Sequence, residues 1–372
     1  MEENVNQTTD IWEEEQECSS ENFMASLNAS LVEFVCSQNT YDNLYSPMNI
    51  FVYIVVLIGV VGNVALLGVI LKNRPLRTTP NILVINVTVG DLMYLLVAVP
   101  SHLEGEVNVC FTQGEAACKL INAWNIVAQG VCIYSIVAVS AERYGAITQH
   151  LGRSLFRGSA KKTLFIVCII WLLSLLLASP VYFTAKVHHG YLCTYLSHAS
   201  QVSKAYVMMQ LWCHYIIPLL IITVLYSRMA HTLIRSADSF RGENQPGAKQ
   251  FRARRRLAII VLFIAVFFGV FWLPYYAYNV YYHYVFSVCS EDIPDIGTWR
   301  TFHYFMSLIN SCFNPWIVFI MSTTHQRLLR HCILCKKPSL GHGKPNKTTN
   351  TMRSNSFMNS SKGNYTEITS TM

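Results

Sequence analysis

Seven stretches of this sequence are apolar for about twenty residues each, the length an α-helix needs to cross ~30 Å of hydrocarbon. They fall at approximately 49–71, 80–102, 116–142, 163–184, 206–230, 257–284 and 300–322. The connections between them are short and polar, and no tandem repeat relates them. An ordinary globular protein does not make seven such runs in succession, so lipid is the main solvent of the chain. Charged residues are 13% of the sequence and hydrophobic ones 52%, whereas a soluble protein carries about a quarter charged residues. The expected fold is all-α. A seven-transmembrane helix bundle at 49–322 follows an acidic N-terminal segment at 1–48. A short amphipathic membrane-surface helix at 323–337 and a disordered tail at 338–372 come after it.

Charge placement sets the direction. The formal net charge is +7, yet no Lys or Arg precedes Lys72. The first, third and fifth connections hold Lys72, Arg74 and Arg77, then Arg153, Arg157, Lys161 and Lys162, then Arg235, Arg241, Lys249 and Arg252, Arg254, Arg255 and Arg256. The even connections hold only Lys119, Lys186, Lys204 and Arg300 at or near their edges. Basic loops are retained in the cytosol, so the odd connections and the tail are inside and the N-terminus is outside. The sequence starts with Glu2, Glu3, Glu13, Glu14 and Glu15 rather than the basic start and apolar core of a cleaved leader, and the first span is expected to act as its own insertion signal. The sequons at Asn6 and Asn28 fall on the outer side and are glycosylation candidates, while those at Asn346, Asn359 and Asn364 fall inside. The basic residues interrupt or flank apolar spans, which removes nucleic acid as a partner.

Polar residues inside the spans carry the functional signal. Asp91 lies about eleven residues into the second span, hence ~16 Å deep, and stands as the one acid or base deep in the bundle. A carboxylate at that depth marks function or polar glue between helices. Asn63, Asn310, Ser311 and Asn314 are its candidate partners, an oxygen-rich set suited to a small cation such as Na⁺. Cys118 and Arg143 are 25 residues apart, ~37 Å of helix, which places one at each edge of the third span. Cys118 can therefore bridge to Cys193 in the second outer loop, where the compartment is oxidising. Cys36–Cys289 is one choice for a second bridge, with connectivity open. Pro180, Pro218, Pro274 and Pro315 are kink sites, serving either motion or static packing.

The ordered set Gly62-Asn63-Val64, Asn86-Val87-Thr88-Val89-Gly90-Asp91, Glu142-Arg143-Tyr144, Trp171, Pro218 with Tyr226, Phe268 with Trp272-Leu273-Pro274, and Asn314-Pro315 resembles rhodopsin-like (class A) G-protein-coupled receptors over roughly residues 45–335. The resemblance implies an activation switch. Arg143, held by Glu142 at rest, would be released toward a G protein and Tyr226. Trp272 and Phe268 would couple ligand contact to movement of the sixth helix. It also implies a multi-pass plasma-membrane location and no enzymatic activity. Two positions depart from the family pattern. Val318, followed by Phe319, occupies the place of a tyrosine after Asn314-Pro315, so no phenol is available there. Cys132 stands where many relatives carry a serine at the ion pocket.

Leu308 excludes a retinal Schiff base, and Asn125 replaces the aspartate of amine receptors. Thr79-Pro80-Asn81-Ile82-Leu83, Gly90-Asp91-Leu92, Val99-Pro100 and Gly130-Val131 look most like the bombesin, endothelin and CCHamide receptor group, which implies a neuropeptide ligand. Candidate ligand contacts are His102, Asn125, Gln129, Gln210, Trp272, Tyr275, Tyr276, Asn279, Tyr282, Arg300 and Tyr304. Tyrosines combine contact area with a hydrogen-bonding tip, and they serve equally as bundle packing. The outer rim carries Glu104, Glu106, Glu115, Glu291, Asp292 and Asp295, and ten further acids precede the first span. Such a field attracts a cationic ligand, or is simply a solvated tail. Inside, the basic start of the sixth span faces lipid phosphate and the G protein, for which the family suggests the phospholipase C-coupled type. Thr324 to His331 reads as the membrane-surface helix, with Cys332 and Cys335 as palmitoylation candidates. Serines and threonines of the tail would, once phosphorylated, recruit an arrestin-like partner. The alternatives are a receptor for a lipid or other small molecule, and a transporter or channel. No inverted repeat or Gly-interrupted helix supports the latter.

Overall fold

The computed structural model describes residues 47–100, 111, 113–148, 160–188, 192–194, 196, 200–237, 248–285 and 296–333. Among them seven helices are long and apolar enough to cross a membrane. They are α1 (Pro47–Lys72), α2 (Thr79–Met93 continued through a wider π-type turn at Tyr94–Ala98), α3 (Gly114–Thr148) and α4 (Ala160–Thr184). α5 runs from Gln201–Gln210 through a second π-type turn at Leu211–Ile216 into Ile217–Ala237, followed by α6 (Ala248–Tyr284) and α7 (Ile296–Met321). Both π-type turns sit just before a proline, Pro100 and Pro218. A proline has no N–H for the carbonyl four residues earlier, and widening the preceding turn relieves that mismatch within a continuous helix. Pro180, Pro274 and Pro315 are carried inside α4, α6 and α7.

The bundle is as expected, but several helices outrun the hydropathy windows. α3 continues to Thr148 rather than 142, α5 spans 201–237 rather than 206–230, and α6 begins at Ala248 rather than 257. Hydropathy registers only the part of a helix immersed in lipid, while backbone hydrogen bonding carries the helix into water until something stops it. A short α8 (Thr323–Ile333) packs against α1 and α7 with Arg327 and Arg330 exposed, matching the described part of the expected surface helix. Besides the π-type turns, a 3-10 turn at Arg74–Leu76 and a pair of strands were not foreseen. β1 (Lys186–His188) and β2 (Leu192–Thr194) pair antiparallel, Val187 opposite Cys193.

α3 is the central post, packing on α2, α4, α5 and α6. Small residues set its approach to neighbours: a Cβ on Gly130 would lie 2.7 Å from the Ser174 hydroxyl of α4, and one on Gly90 of α2 would lie 2.6 Å from the Cys132 sulfur. Close approach through small residues is a main source of packing energy in lipid, where no hydrophobic effect draws helices together. Asn86 of α2 ties three helices, donating to Ser135 of α3 at 2.7 Å and accepting from the Trp171 indole of α4 at 3.0 Å. The lipid-facing flank is aliphatic and aromatic, as at Leu172, Leu176 and Phe183 on α4.

Candidate functional site

At the outer edge, Cys118 at the start of α3 is bridged to Cys193 of β2, with a Cα–Cα distance of 5.7 Å. Asn122, one turn down α3, donates to the Cys118 carbonyl at 2.8 Å and lies 3.2 Å from the Cys193 sulfur. The bridge and the amide together hold the hairpin against the top of the central post. Cys36 and Cys289, like Asn6, Asn28, His102 and Cys335, lie outside the described residues, as does the side chain of Cys332.

Below the hairpin the predicted ligand residues divide. Gln129, Gln210, Trp272, Tyr276 and Tyr304 are buried, Asn125, Tyr275 and Tyr282 half-buried, and Arg300 exposed. Tyr276 contacts the Tyr215 ring at 4.7 Å and the Tyr275 ring at 5.2 Å, and Tyr275 meets Trp272 and His303 edge-on. These contacts bring α5, α6 and α7 together around one aromatic centre, with Gln129 of α3 beside the Tyr276 hydroxyl. Others are already committed. Asn279 donates to the Tyr275 carbonyl at 2.8 Å, Tyr304 to the Val99 carbonyl at 3.3 Å, and Gln210 to the Tyr206 hydroxyl at 3.4 Å. Among the described residues, both amide atoms of Gln129, the Trp272 indole N–H and the Tyr276 hydroxyl have no hydrogen-bond partner of ordinary geometry, the Gln129 amide lying beside the Tyr276 hydroxyl. Buried polar groups are nearly always satisfied, by protein or by ordered water, which makes these three the candidate contacts for a molecule from outside the bundle.

His214 corrects the expectation that Asp91 is alone. It lies fully buried in the π-type turn of α5, its ring 5.7 Å from that of Tyr134, with both nitrogens unpartnered. A single histidine in an apolar run leaves hydropathy unchanged, which is why the windows conceal it. Tyr94 was also missed. Its hydroxyl shares a 2.7 Å hydrogen bond with Ser307 and its ring meets Trp272 at 5.9 Å, linking α2, α6 and α7.

Midway down, Asp91 is fully buried. Asn314 donates to its Oδ2 at 2.9 Å and the Cys132 thiol to its Oδ1 at 3.6 Å, with Ser311 beside it. Asn63 spends its amide N–H groups on the Gly59 and Ser311 carbonyls at 2.9 and 3.0 Å. The amide oxygens of Asn63, Asn310 and Asn314 are buried without a donor. A carboxylate with uncommitted amide oxygens on neighbouring helices fits a hard cation such as Na⁺, although sulfur at Cys132 adds no hard ligand.

At the inner end of α3, Glu142 and Arg143 pair at 2.8 Å. The Tyr226 hydroxyl of α5 donates to the Ala258 carbonyl of α6 at 2.9 Å, and Tyr226 and Tyr144 pack on a cluster of Ile147, Met229 and Ala258. Phe268 is wholly buried one turn below Trp272, with ring centroids 5.8 Å apart. Pro274 lies in α6 beyond Phe268, and Pro315 lies in α7 next to Asn314.

Seven membrane-length helices, a bridged hairpin over the outer face and a Glu–Arg pair closing the inner end of the central helix define a receptor bundle. The chain belongs to the seven-transmembrane receptor (rhodopsin) family, whose sequence profile matches residues 62–317. It is similar to bombesin receptor subtype-3 of Ovis aries, 28% identical over 310 residues that cover 79% of this chain and 75% of that protein. It is therefore a multi-pass plasma-membrane receptor of the G-protein-coupled class and not an enzyme.

Proposed function

We propose that this receptor binds an extracellular neuropeptide and signals through heterotrimeric G proteins of the phospholipase C-coupled type. The observation that carries the reading is the unsatisfied trio Gln129, Trp272 and Tyr276 beneath the hairpin. A peptide brings amide donors and acceptors together with side chains that fit an aromatic centre. The similarity to a receptor named for bombesin supports the same ligand class. Within this reading Asn125, Gln210, Tyr275, Asn279, Tyr282, Arg300, Tyr304 and His102 border the ligand, and the acidic N-terminal segment concentrates cationic peptides near the mouth.

Ligand contact at Trp272 biases α6 between two packings, and Glu142 surrenders Arg143 to the inner partner as α6 moves. A ligand shifts such an equilibrium only by its differential affinity for the two states. Sodium at Asp91 favours the resting packing by supplying positive charge to the carboxylate and the unused amide oxygens. Asn6 and Asn28 carry glycans, Cys332 and Cys335 carry acyl chains, and the phosphorylated tail binds an arrestin-like protein.

The deciding experiment expresses the receptor in cells and screens a neuropeptide collection by calcium release. A cationic peptide active at submicromolar concentration is the expected result. A response confined to lipids or other non-peptide molecules would overturn the ligand class, and calcium silence with a cyclic-nucleotide response would overturn the coupling.

A further inference from the structure

At the cytoplasmic end, α2, α3, α6, α7 and α8 enclose a cavity whose wall includes Val139, Val261, Ile264 and Val318 and whose rim includes Arg143 and His325. A second cavity continues it upward toward Asn314 and shares the same four aliphatic residues. His325 is only 5% exposed, although it belongs to a surface helix. One ring nitrogen, Nδ1, is 2.7 Å from the Ser322 hydroxyl, and the other, Nε2, has no partner among the described residues. Arg143 is equally buried and holds Glu142 in the resting arrangement.

We propose that His325 is the acceptor that receives the Arg143 guanidinium when Glu142 releases it. The chemistry is complementary. Arginine only donates, and an imidazole whose Nδ1–H is given to Ser322 offers an Nε2 lone pair. A buried guanidinium that loses its carboxylate is strongly destabilising unless another acceptor takes it. Val318 contributes no polar atom from α7 and the Ser322 hydroxyl is taken up by Nδ1, so among the described residues lining this cavity His325 brings the unused nitrogen from the α7–α8 side. Burial holds its imidazole below the ordinary range, which keeps the ring neutral with one nitrogen able to accept. Two rivals stand near: Asn81 in the same cavity, whose amide N–H is given to the Leu76 carbonyl at 2.7 Å while its oxygen can still accept, and Tyr226, the partner that the family resemblance implies, whose hydroxyl is given to the Ala258 carbonyl at 2.9 Å. The inference rests on the reading of Glu142 and Arg143 as an inner-face switch.

The test is a double-mutant cycle on the purified full-length receptor, read as thermal unfolding temperature. Glu142→Ala takes the carboxylate from Arg143. In that background His325→Leu should lower the unfolding temperature roughly twice as far as in the wild type, the mark of coupled residues. His325→Gln, which keeps an acceptor oxygen, should restore it. His325→Phe serves if the leucine variant does not fold, because it keeps a planar ring without an acceptor. Equal shifts in both backgrounds would overturn the proposal, and so would coupling that follows Asn81→Leu or Tyr226→Phe rather than His325. Ligand-free nucleotide exchange on a reconstituted G protein separates the two readings. If Glu142→Ala fails to raise it, the switch assignment is at fault, while the stability cycle still decides the Arg143–His325 contact.

Discussion

The outer and inner halves of the bundle treat buried polar groups differently. In the outer half Gln129, His214, Trp272 and Tyr276 leave polar atoms without partners, on three different helices. In the inner half Arg143 is paired to Glu142, Tyr226 is bonded to the α6 backbone, and Asn86 joins α2, α3 and α4. An unsatisfied buried donor or acceptor costs about 1–3 kcal/mol, so the outer half holds free energy that an incoming ligand can recover. The inner half is held by contacts that must be broken before anything else can enter, with the His325 Nε2 as the exception among the described residues. This division suits a protein that takes up a signal on one side and yields on the other.

The largest test of the contrast is Arg143→Ala. It should abolish ligand-driven second-messenger release while surface labelling persists, and an undiminished response would mean that the inner half is not a lock. Next, Cys193→Ser frees the hairpin and should remove about 2–5 kcal/mol of stability, visible as lost surface expression or lost peptide binding. Wild-type binding after that change would show that the outer half does not depend on its cover. Tyr276→Phe sharpens the comparison because it deletes a hydroxyl that has only the Gln129 amide beside it. Peptide potency should fall about tenfold, the worth of one hydrogen bond, while thermal stability holds or rises; a loss of stability would mean the hydroxyl is satisfied within the fold.

The smallest effect concerns pH. His325 is held below its ordinary value of 6.5 by burial. Below that value the unfolded chain binds a proton that the native imidazole refuses. Its contribution is therefore complete above about 6.5 and lost as pH falls toward the lowered native value. The unfolding temperature of the wild type should drop between neutral and mildly acidic buffer more than that of His325→Gln. Equal slopes would show that another group governs the response.

Much of this site was legible in the sequence because its parts are separated along helices by distances that rise per residue fixes. Cys118 and Arg143 had to occupy opposite edges of α3, and Asp91 had to lie deep in α2. The hairpin at 186–194 escaped notice because three-residue strands leave no periodic pattern. The extensions of α3, α5 and α6 escaped because their polar turns carry no apolar signal. His214 and His325 were overlooked for a related reason: a single titratable residue acquires meaning only from what faces it.

The sequence alone determined that the chain crosses the bilayer seven times, which ends lie in the cytosol, and which family its motifs match. Those properties are sums over neighbours along the chain, and transfer to lipid depends on such sums. Only the tertiary structure decided which buried polar atoms are satisfied. Asp91 and Asn314 meet across 223 residues, and Arg143 and His325 reach one cavity from α3 and α8. Such pairings depend on the rotation and tilt of whole helices against one another, which close packing around small residues such as Gly90 and Gly130 sets and no local window contains.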